Sequence, residues 1–377
     1  MPRGKKNNQC AFDTLLKRNV PHILEKIFLS LDYKSFKKCL KVSTTWKELL
    51  ASGSFLSRSA SVFHEGIEKD ERKLSFAAKR GNTEVVNRLL SSGMIDVNCI
   101  FNGNGKKWDS STPLCLAAKE GQTGVVKILL DAGADINKTD KTRWTPLHWA
   151  ARMGHKEVVK LLIDRGAEPN NADEDDCNPL HKAIDRYNLF GGAMNMNMHN
   201  IVNMLLNAGV DPNKSDKYGD TLLCWVARSG QKYVILLLLD NGAEVNKANK
   251  HGMTPLHLVA KNGKTDLVNL LLERGADPNK ADDRGMTSLH RAIEGGHTDG
   301  VQVLLNGGAD PNNPNKHGDT PLHLAVRYIH KDVVIMLLKR GAHHYMINNN
   351  GETPLSHVTS HFRMDIVNLL NECTKDP

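Results

Sequence analysis

Residues 252–284 read GMTPLHLVAKNGKTDLVNLLLERGADPNKADDR. Thr254 suits a helix N-cap, because its hydroxyl can take an orphan backbone N–H. Pro255 follows at the first helical position, where a missing N–H does no harm. Leu256, Val259 and Ala260 give the short helix a narrow apolar face. Gly263 can close it with a left-handed residue. Thr265 or Asp266 then caps a second helix, Leu267 to Glu273, which Gly275 ends. Asp277-Pro278-Asn279 and Asp282-Asp283-Arg284-Gly285 are turn chemistry. The unit is therefore helix, tight turn, helix, polar hairpin loop, and it is too small to bury its apolar face alone.

The unit recurs. Its motif leucine returns as Leu114, Leu147, Leu180, Leu223, Leu256, Leu289, Leu322 and Leu355, every 33 residues except for one step of 43. A weaker first copy is Leu74-Ser75-Phe76-Ala77-Ala78 with Gly81 and Val85-Val86, which makes nine. A 33-residue period carrying T-P-L-H-x-A resembles the ankyrin repeat. The resemblance runs from Glu71 to Cys373 and implies an all-α solenoid of nine helix-turn-helix repeats with β-hairpin loops. Each unit then packs only on its neighbours, so a chain of 377 residues needs no single core.

Composition is that of an ordinary soluble chain, 40% apolar and 24% charged. There is no apolar run of about 18 residues for a membrane span, and Met1 to Asn8 is polar and basic, unlike a secretory signal. The seven cysteines are scattered without a CxxC pair, which fits reduced thiols in the cytoplasm or nucleus rather than a disulfide frame or zinc site. The net charge of +8 is uneven: residues 1–70 carry 13 Lys/Arg against 7 Asp/Glu, and the remainder 37 against 35. Lys5-Lys6 and Lys37-Lys38 fit a solvated helical face better than a nucleic-acid footprint.

Residues 1–18 read as a polar basic leader, 19–56 as a helical module, 57–70 as a linker and 71–377 as the array. In the module, Val20, Ile23, Leu24, Ile27, Phe28 and Leu31 have helical spacing, followed by Phe36, Leu40, Val42, Trp46, Leu49 and Leu50. Val20-Pro21, Ile23-Leu24, Ile27-Phe28, Leu31-Asp32, Ser35-Phe36, Val42 and Trp46 resemble the F-box. One departure is that only His22 separates Pro21 from Ile23, where the family has two residues. The F-box resemblance implies docking to the Skp adaptor of a cullin–RING ubiquitin ligase through Pro21, Ile23, Leu24, Ile27, Phe28, Leu31, Leu40, Val42 and Trp46, with the array holding the substrate. The alternatives are a helical cap for the solenoid and a plain ankyrin scaffold or inhibitor with no ligase link.

No catalytic set emerges: there is no phosphate loop, HExxH or GxSxG, and no cofactor is implied. His148, His181, His257, His290 and His323 recur in the motif; a metal ladder is conceivable, but the family resemblance implies that they join adjacent repeats. Asn98, Asn137, Asn170, Asn213, Asn246, Asn279 and Asn312 fit hairpin residues, each with a leucine eight residues earlier as in asparaginyl-hydroxylation motifs of ankyrin proteins. The position after the Ala-Ala pair, which the resemblance places on the concave face, is Lys79, Lys119, Arg152, Asp185, Arg228, Lys261, Glu294, Arg327 and Ser360, six of nine basic. Trp149, Trp225 and Tyr328 lie beside Lys119, Arg152, Arg228, Lys261 and Arg327, and Lys141, Arg143, Lys217, Lys250 and Lys316 come from hairpin tips. This pattern suits an acidic or phosphorylated protein segment.

Two interruptions stand out. Seven residues are added between Asp96 and Ser111, and ten around Asn188 to His199, the latter expected as a Met-rich loop. Ile329 and Phe362 replace the inter-helix glycine, and a β-branched residue is not expected at positive φ. Repeat nine is expected to act as the C-terminal cap.

Overall fold

The computed structural model describes residues 57–91, 95–102, 110–189 and 196–357. The F-box-like segment, Ser360, Phe362 and nearly all of the ninth repeat lie outside them. The chain divides into two compact units, one ending at Glu168 and one beginning at Pro169.

The first unit contains three helix pairs: α1 (Ser57–Arg80) and α2 (Thr83–Leu90), α3 (Pro113–Lys119) and α4 (Thr123–Asp131), α5 (Pro146–Met153) and α6 (Lys156–Asp164). The second contains five: α7 (Pro179–Leu189) and α8 (Met196–Asn207), α9 (Leu222–Ser229) and α10 (Lys232–Asp240), α11 (Pro255–Lys261) and α12 (Thr265–Glu273), α13 (Ser288–Glu294) and α14 (Thr298–Asn306), α15 (Pro321–Arg327) and α16 (Lys331–Lys339). A 3₁₀ turn, Pro354–His357, opens the next repeat. Within each unit first helices stack on first helices, as α3 does on α1 and α5 and α13 does on α11 and α15, while second helices stack on second helices. The motif leucines from Leu74 to Leu322 are buried between them, Leu256 and Leu289 completely. This is the all-helical stacked array that the period predicts.

The helix starts show why the motif has its form. Thr145 Oγ1 accepts from the His148 N–H while its own backbone N–H donates to His148 Nδ1 at 3.1 Å. His257, His290 and His323 make the same ring contact with Thr254, Thr287 and Thr320. With Nδ1 accepting, the proton sits on Nε2, which donates to a carbonyl of the following repeat: Met286 for His257 (3.0 Å), Asp319 for His290 (3.2 Å) and Glu352 for His323 (3.0 Å). These imidazoles are inter-repeat ties. Among the described residues no cluster of three His, Cys, Asp or Glu could hold a metal ion.

A second tie runs through the loops. Asn246 Nδ2 donates to the Gly275 carbonyl at 3.0 Å and its Oδ1 accepts from Asp277 N at 2.8 Å. Asn213, Asn279 and Asn312 repeat the pair of bonds.

Glycine is required where repeats nearly touch. Gly263 has φ +66°, and a Cβ there would lie 2.5 Å from the His297 ring, whose Nε2 bonds the Lys261 carbonyl. At Gly252, φ +72°, a Cβ would meet the Asp283 nitrogen at 2.8 Å.

Several expectations are corrected. Residues 57–70, read as a linker, belong to α1, an unbroken helix of 24 residues. The second helix of the founding repeat begins at Thr265 with Lys264 at its N-cap, and no side chain caps it. Of the insertion at 188–199, read as a loop, the described ends are helical: residues 188–189 close α7, which has 11 residues, and 196–199 open α8, which has 12 against nine in α10, while residues 190–195 lie outside the described ones. In the first turn of α8, Met198 is buried and the His199 ring meets Tyr233 edge-on at 4.1 Å. Ile329 does adopt positive φ, +62°. Its N–H bonds the Val326 carbonyl and the His330 N–H the Ala325 carbonyl, so the left-handed turn closes the C-terminal end of α15 by satisfying its last carbonyls. The loop tips are five-residue turns closed by two backbone bonds, such as Asp282 N to Met286 O at 2.9 Å and Gly285 N to Asp282 O at 2.8 Å. Only the enlarged loop of the first unit has paired strands among the described residues, β1 (Phe101–Asn102) antiparallel to β2 (Ser110–Ser111).

Candidate protein-interaction surface

The basic row lies at the C-terminal end of each first helix, one residue per repeat. In the first unit it comprises Lys79, Lys119 and Arg152. Lys119 Nζ stands 4.2 Å from the centre of the Trp149 ring, and the Arg152 guanidinium 5.5 Å from that of Trp144. The two indoles are themselves 4.5 Å apart, tilted by 51°. Trp149 is 9% exposed and donates its Nε1–H to Asp140 Oδ2 at 2.9 Å. The other carboxylate oxygen of Asp140 accepts from Thr142 N, Thr142 Oγ1 and Trp144 N. Trp149 is thus a wall and not the projecting residue its position suggested, because the acid at the loop base draws the indole inward. Lys79 is 4.0 Å from Glu120.

In the second unit the row behaves differently. Arg228 pairs with Asp220 and Arg327 with Asp319, each at 2.9 Å. Asp185 and Glu294 add acids to the row, and Lys261 is exposed. Loop-tip Lys217 pairs with Asp175 at 2.7 Å. Burial alone would raise the Asp319 carboxyl, but the bonds from Arg327 and the Asn348 amide outweigh it and hold the carboxyl below its usual range. Trp225, half-buried, donates Nε1–H to Asp216 at 3.0 Å. Tyr328 is 44% exposed.

The sequence pattern therefore located the row but not its neutralisation. Each arginine contacts the residue eight positions earlier, just before the capping threonine: Asp220, Asp319 and, in the first unit, Trp144. That spacing was the available signal. It also makes Trp144 the site residue that the row-based reading left out.

The described cysteines are remote from such chemistry. Cys99, Cys115, Cys177 and Cys224 are buried and not disulfide-bonded, and burial pushes the first three thiols up to about 12.

A family model described as ankyrin repeats (three copies) matches seven overlapping stretches: residues 57–140, 74–173, 114–190, 189–282, 234–315, 258–348 and 289–377. The chain belongs to the ankyrin-repeat family. Two curated proteins are similar over shorter stretches. Delta-latroinsectotoxin-Lt1a of Latrodectus tredecimguttatus is 39% identical over 77 residues, 20% of this chain and 6% of the toxin. Potassium channel GORK of Arabidopsis thaliana is 40% identical over 65 residues, 17% of this chain and 7% of the channel. The matched region spans less than a tenth of the length of either relative. As an ankyrin-repeat array this chain presents protein-binding surface, and no described helix is long and apolar enough to cross a membrane.

Proposed function

We propose that this chain is the non-catalytic substrate-recognition subunit of an SCF-type cullin–RING ubiquitin ligase. Its N-terminal module docks the Skp adaptor and, through it, the cullin scaffold, while the ankyrin array holds a substrate protein. The observation that carries this reading is the residue-by-residue likeness of Val20–Trp46 to the F-box, at one end of a protein-binding array. Apolar residues at helical spacing in the sequence, above all Leu24 and Phe28, supply the kind of contact that dominates interface energy when buried. In this reading the protein works in the cytoplasm, the nucleus or both.

A second reading, an ankyrin scaffold or inhibitor with no ligase link, draws on the family match beginning at residue 57 and on α1, which runs unbroken from Ser57 into the first repeat.

Capture of purified Skp adaptor by the full-length chain separates the two. Wild type should retain the adaptor, and Leu24→Ala with Phe28→Ala should lose it while the thermal unfolding of the array stays unchanged. Trp46→Ala, if Trp46 holds the module together, should lose it through local unfolding. Failure of the wild type to bind, or binding unchanged in the Leu24/Phe28 variant, leaves the scaffold reading.

A further inference from the structure

We propose that the loop tips preceding α11, α13 and α15 bind an extended acidic segment of a partner protein, with an acid at every third residue, through Lys250, Arg284 and Lys316. This deepens the substrate-holding role given to the array and is independent of the ligase link.

By sequence these loops look balanced, with Asp216 beside Lys217, Asp282-Asp283 beside Arg284 and Lys316 near Asp319. The fold separates the two signs. Asp216 and Asp282 are buried: one oxygen of each accepts backbone N–H bonds from its own loop, and the other takes Trp225 or Arg291. Asp220 is held by Arg228 and the Asn249 amide, and Asp319 by Arg327 and the Asn348 amide. Lys250, Arg284 and Lys316 are exposed. Among the described residues no ion pair joins Lys250 or Lys316 to a carboxylate. The Lys250 ammonium bonds the Lys217 carbonyl, which leaves its charge uncancelled and two N–H groups to give. Arg284 stands 3.6 Å from Glu294 with its side chain 62% exposed. Asp283 is exposed on the same edge, so three cations face one acid there. Towards α7 the edge ends at Asp175, which takes Lys217 at 2.7 Å.

The tips are fixed in register by their backbones. The Asp283 N–H donates to the His251 carbonyl, Lys316 N–H to Arg284 and Asn349 N–H to His317, each at 3.0 Å. A Cβ on Gly285 would lie 2.6 Å from the Lys316 nitrogen, so neighbouring tips touch. A ligand then has only side chains to order. Equivalent residues of stacked repeats lie one helix spacing apart, about 8–10 Å. An extended chain advances about 3.3 Å per residue, so three residues cover one step. On a helix, acids three or four positions apart stand about 5–6 Å from each other and fall between tips. A stripe one cation wide, bounded by acids, suits a peptide better than a nucleic-acid backbone. Carboxylates and phosphates would meet the same donors.

The test is fluorescence anisotropy with the full-length chain and three labelled peptides of one length. The first carries glutamate at every third residue, the second phosphoserine at the same positions, and the third the same number of glutamates bunched at one end. The first or second should bind, more weakly as salt rises, and at least about threefold more tightly than the bunched peptide. The tighter of the two identifies the source of the anion. Lys250→Gln with Lys316→Gln should weaken binding about threefold, and Lys250→Glu with Lys316→Glu about tenfold, with unfolding midpoints unchanged because both residues are exposed. Lys232→Glu with Lys339→Glu makes the charge-reversed change on the second helices and should leave binding within about twofold. Leu24→Ala with Phe28→Ala should not alter peptide binding, so failure of adaptor capture and failure of this proposal are separate results. The proposal is overturned if neither spaced peptide binds, if the bunched peptide binds as tightly, if the Lys250/Lys316 variants bind like wild type, if the Lys232/Lys339 variant loses as much, or if single-stranded DNA binds more tightly than either spaced peptide.

Discussion

The Trp149 indole donates its Nε1–H to Asp140 Oδ2 across 2.9 Å, nine residues apart in sequence. The relationship recurs in the second unit: Asp173 takes Lys182 at 2.6 Å, Asp216 takes Trp225 at 3.0 Å, and Asp282 takes Arg291. In each case a buried loop acid has its second oxygen satisfied by a donor on the first helix. Where that helical residue is Leu258 or Leu324, the loop residue is Asn249 or Asn315. An apolar neighbour leaves nothing to neutralise a buried carboxylate, so the neutral amide takes its place.

This pairing predicts a specific non-additivity. Trp149→Leu alone should destabilise the chain by about 1–3 kcal/mol, because one buried oxygen of Asp140 loses its donor. Adding Asp140→Asn should recover part of the loss by recreating the Asn249/Leu258 arrangement. Urea unfolding of the two single variants and the double variant would show the interaction; strictly additive effects would refute it.

The stacked core predicts large local losses. Leu256 and Leu271 are fully buried. Replacing either by Ala should remove about 2–5 kcal/mol, because the surrounding helices cannot close the cavity. Chemical denaturation that shows a negligible change would contradict the stacking of α11 and α12.

The histidine ties predict acid sensitivity in a defined window. Burial lowers the pKa of His257, and that of His290 to about 4, against an unfolded value of 6.5. As pH falls below about 6.5 the unfolded chain takes up protons that the folded chain refuses until about 4. Stability is therefore complete above that window and declines through it. Asp173, Asp282 and Asp319, whose carboxyls are held below the ordinary 3.8, lose their contribution only at lower pH. Thermal unfolding midpoints should fall across the histidine window, and His290→Gln should flatten the slope. A flat wild-type profile would mean that the rings are not held neutral.

The turn at Ile329 predicts a gain. A left-handed L-residue costs roughly 1–2 kcal/mol, and Ile329 is 47% exposed, so little burial offsets it. Glycine loses about 0.5–1 kcal/mol more chain entropy on folding. Ile329→Gly should then raise the unfolding midpoint by the equivalent of ~0.5–1 kcal/mol. A lower midpoint would show that the exposed side chain makes a worthwhile contact.

The sequence by itself determined the helix pairs, their number in the described chain and the buried leucine at the heart of each. The reason is that Thr-Pro-Leu-His, the closing glycine and the second leucine run act within a few residues of one another, and the period then leaves each unit only its neighbours to pack against. The histidine ties were legible too, once the motif was read as a joint between repeats. What tertiary structure decided was which groups the cations of the row rest against. Arg228 and Arg152 occupy the same place in the motif, yet one rests on Asp220 and the other over Trp144, through pairs eight residues apart that helical periodicity does not contain and the returning loop creates. The same holds for Asp140 and Trp149. At Ile329, bonds to the last carbonyls of α15 go with a left-handed turn that a β-branched residue does not favour, and residues 196–199, read as part of a loop, open α8 with Met198 buried. Local chemistry fixes where elements begin and end; only packing between elements settles a charge or a strained turn whose partners lie beyond the next few residues.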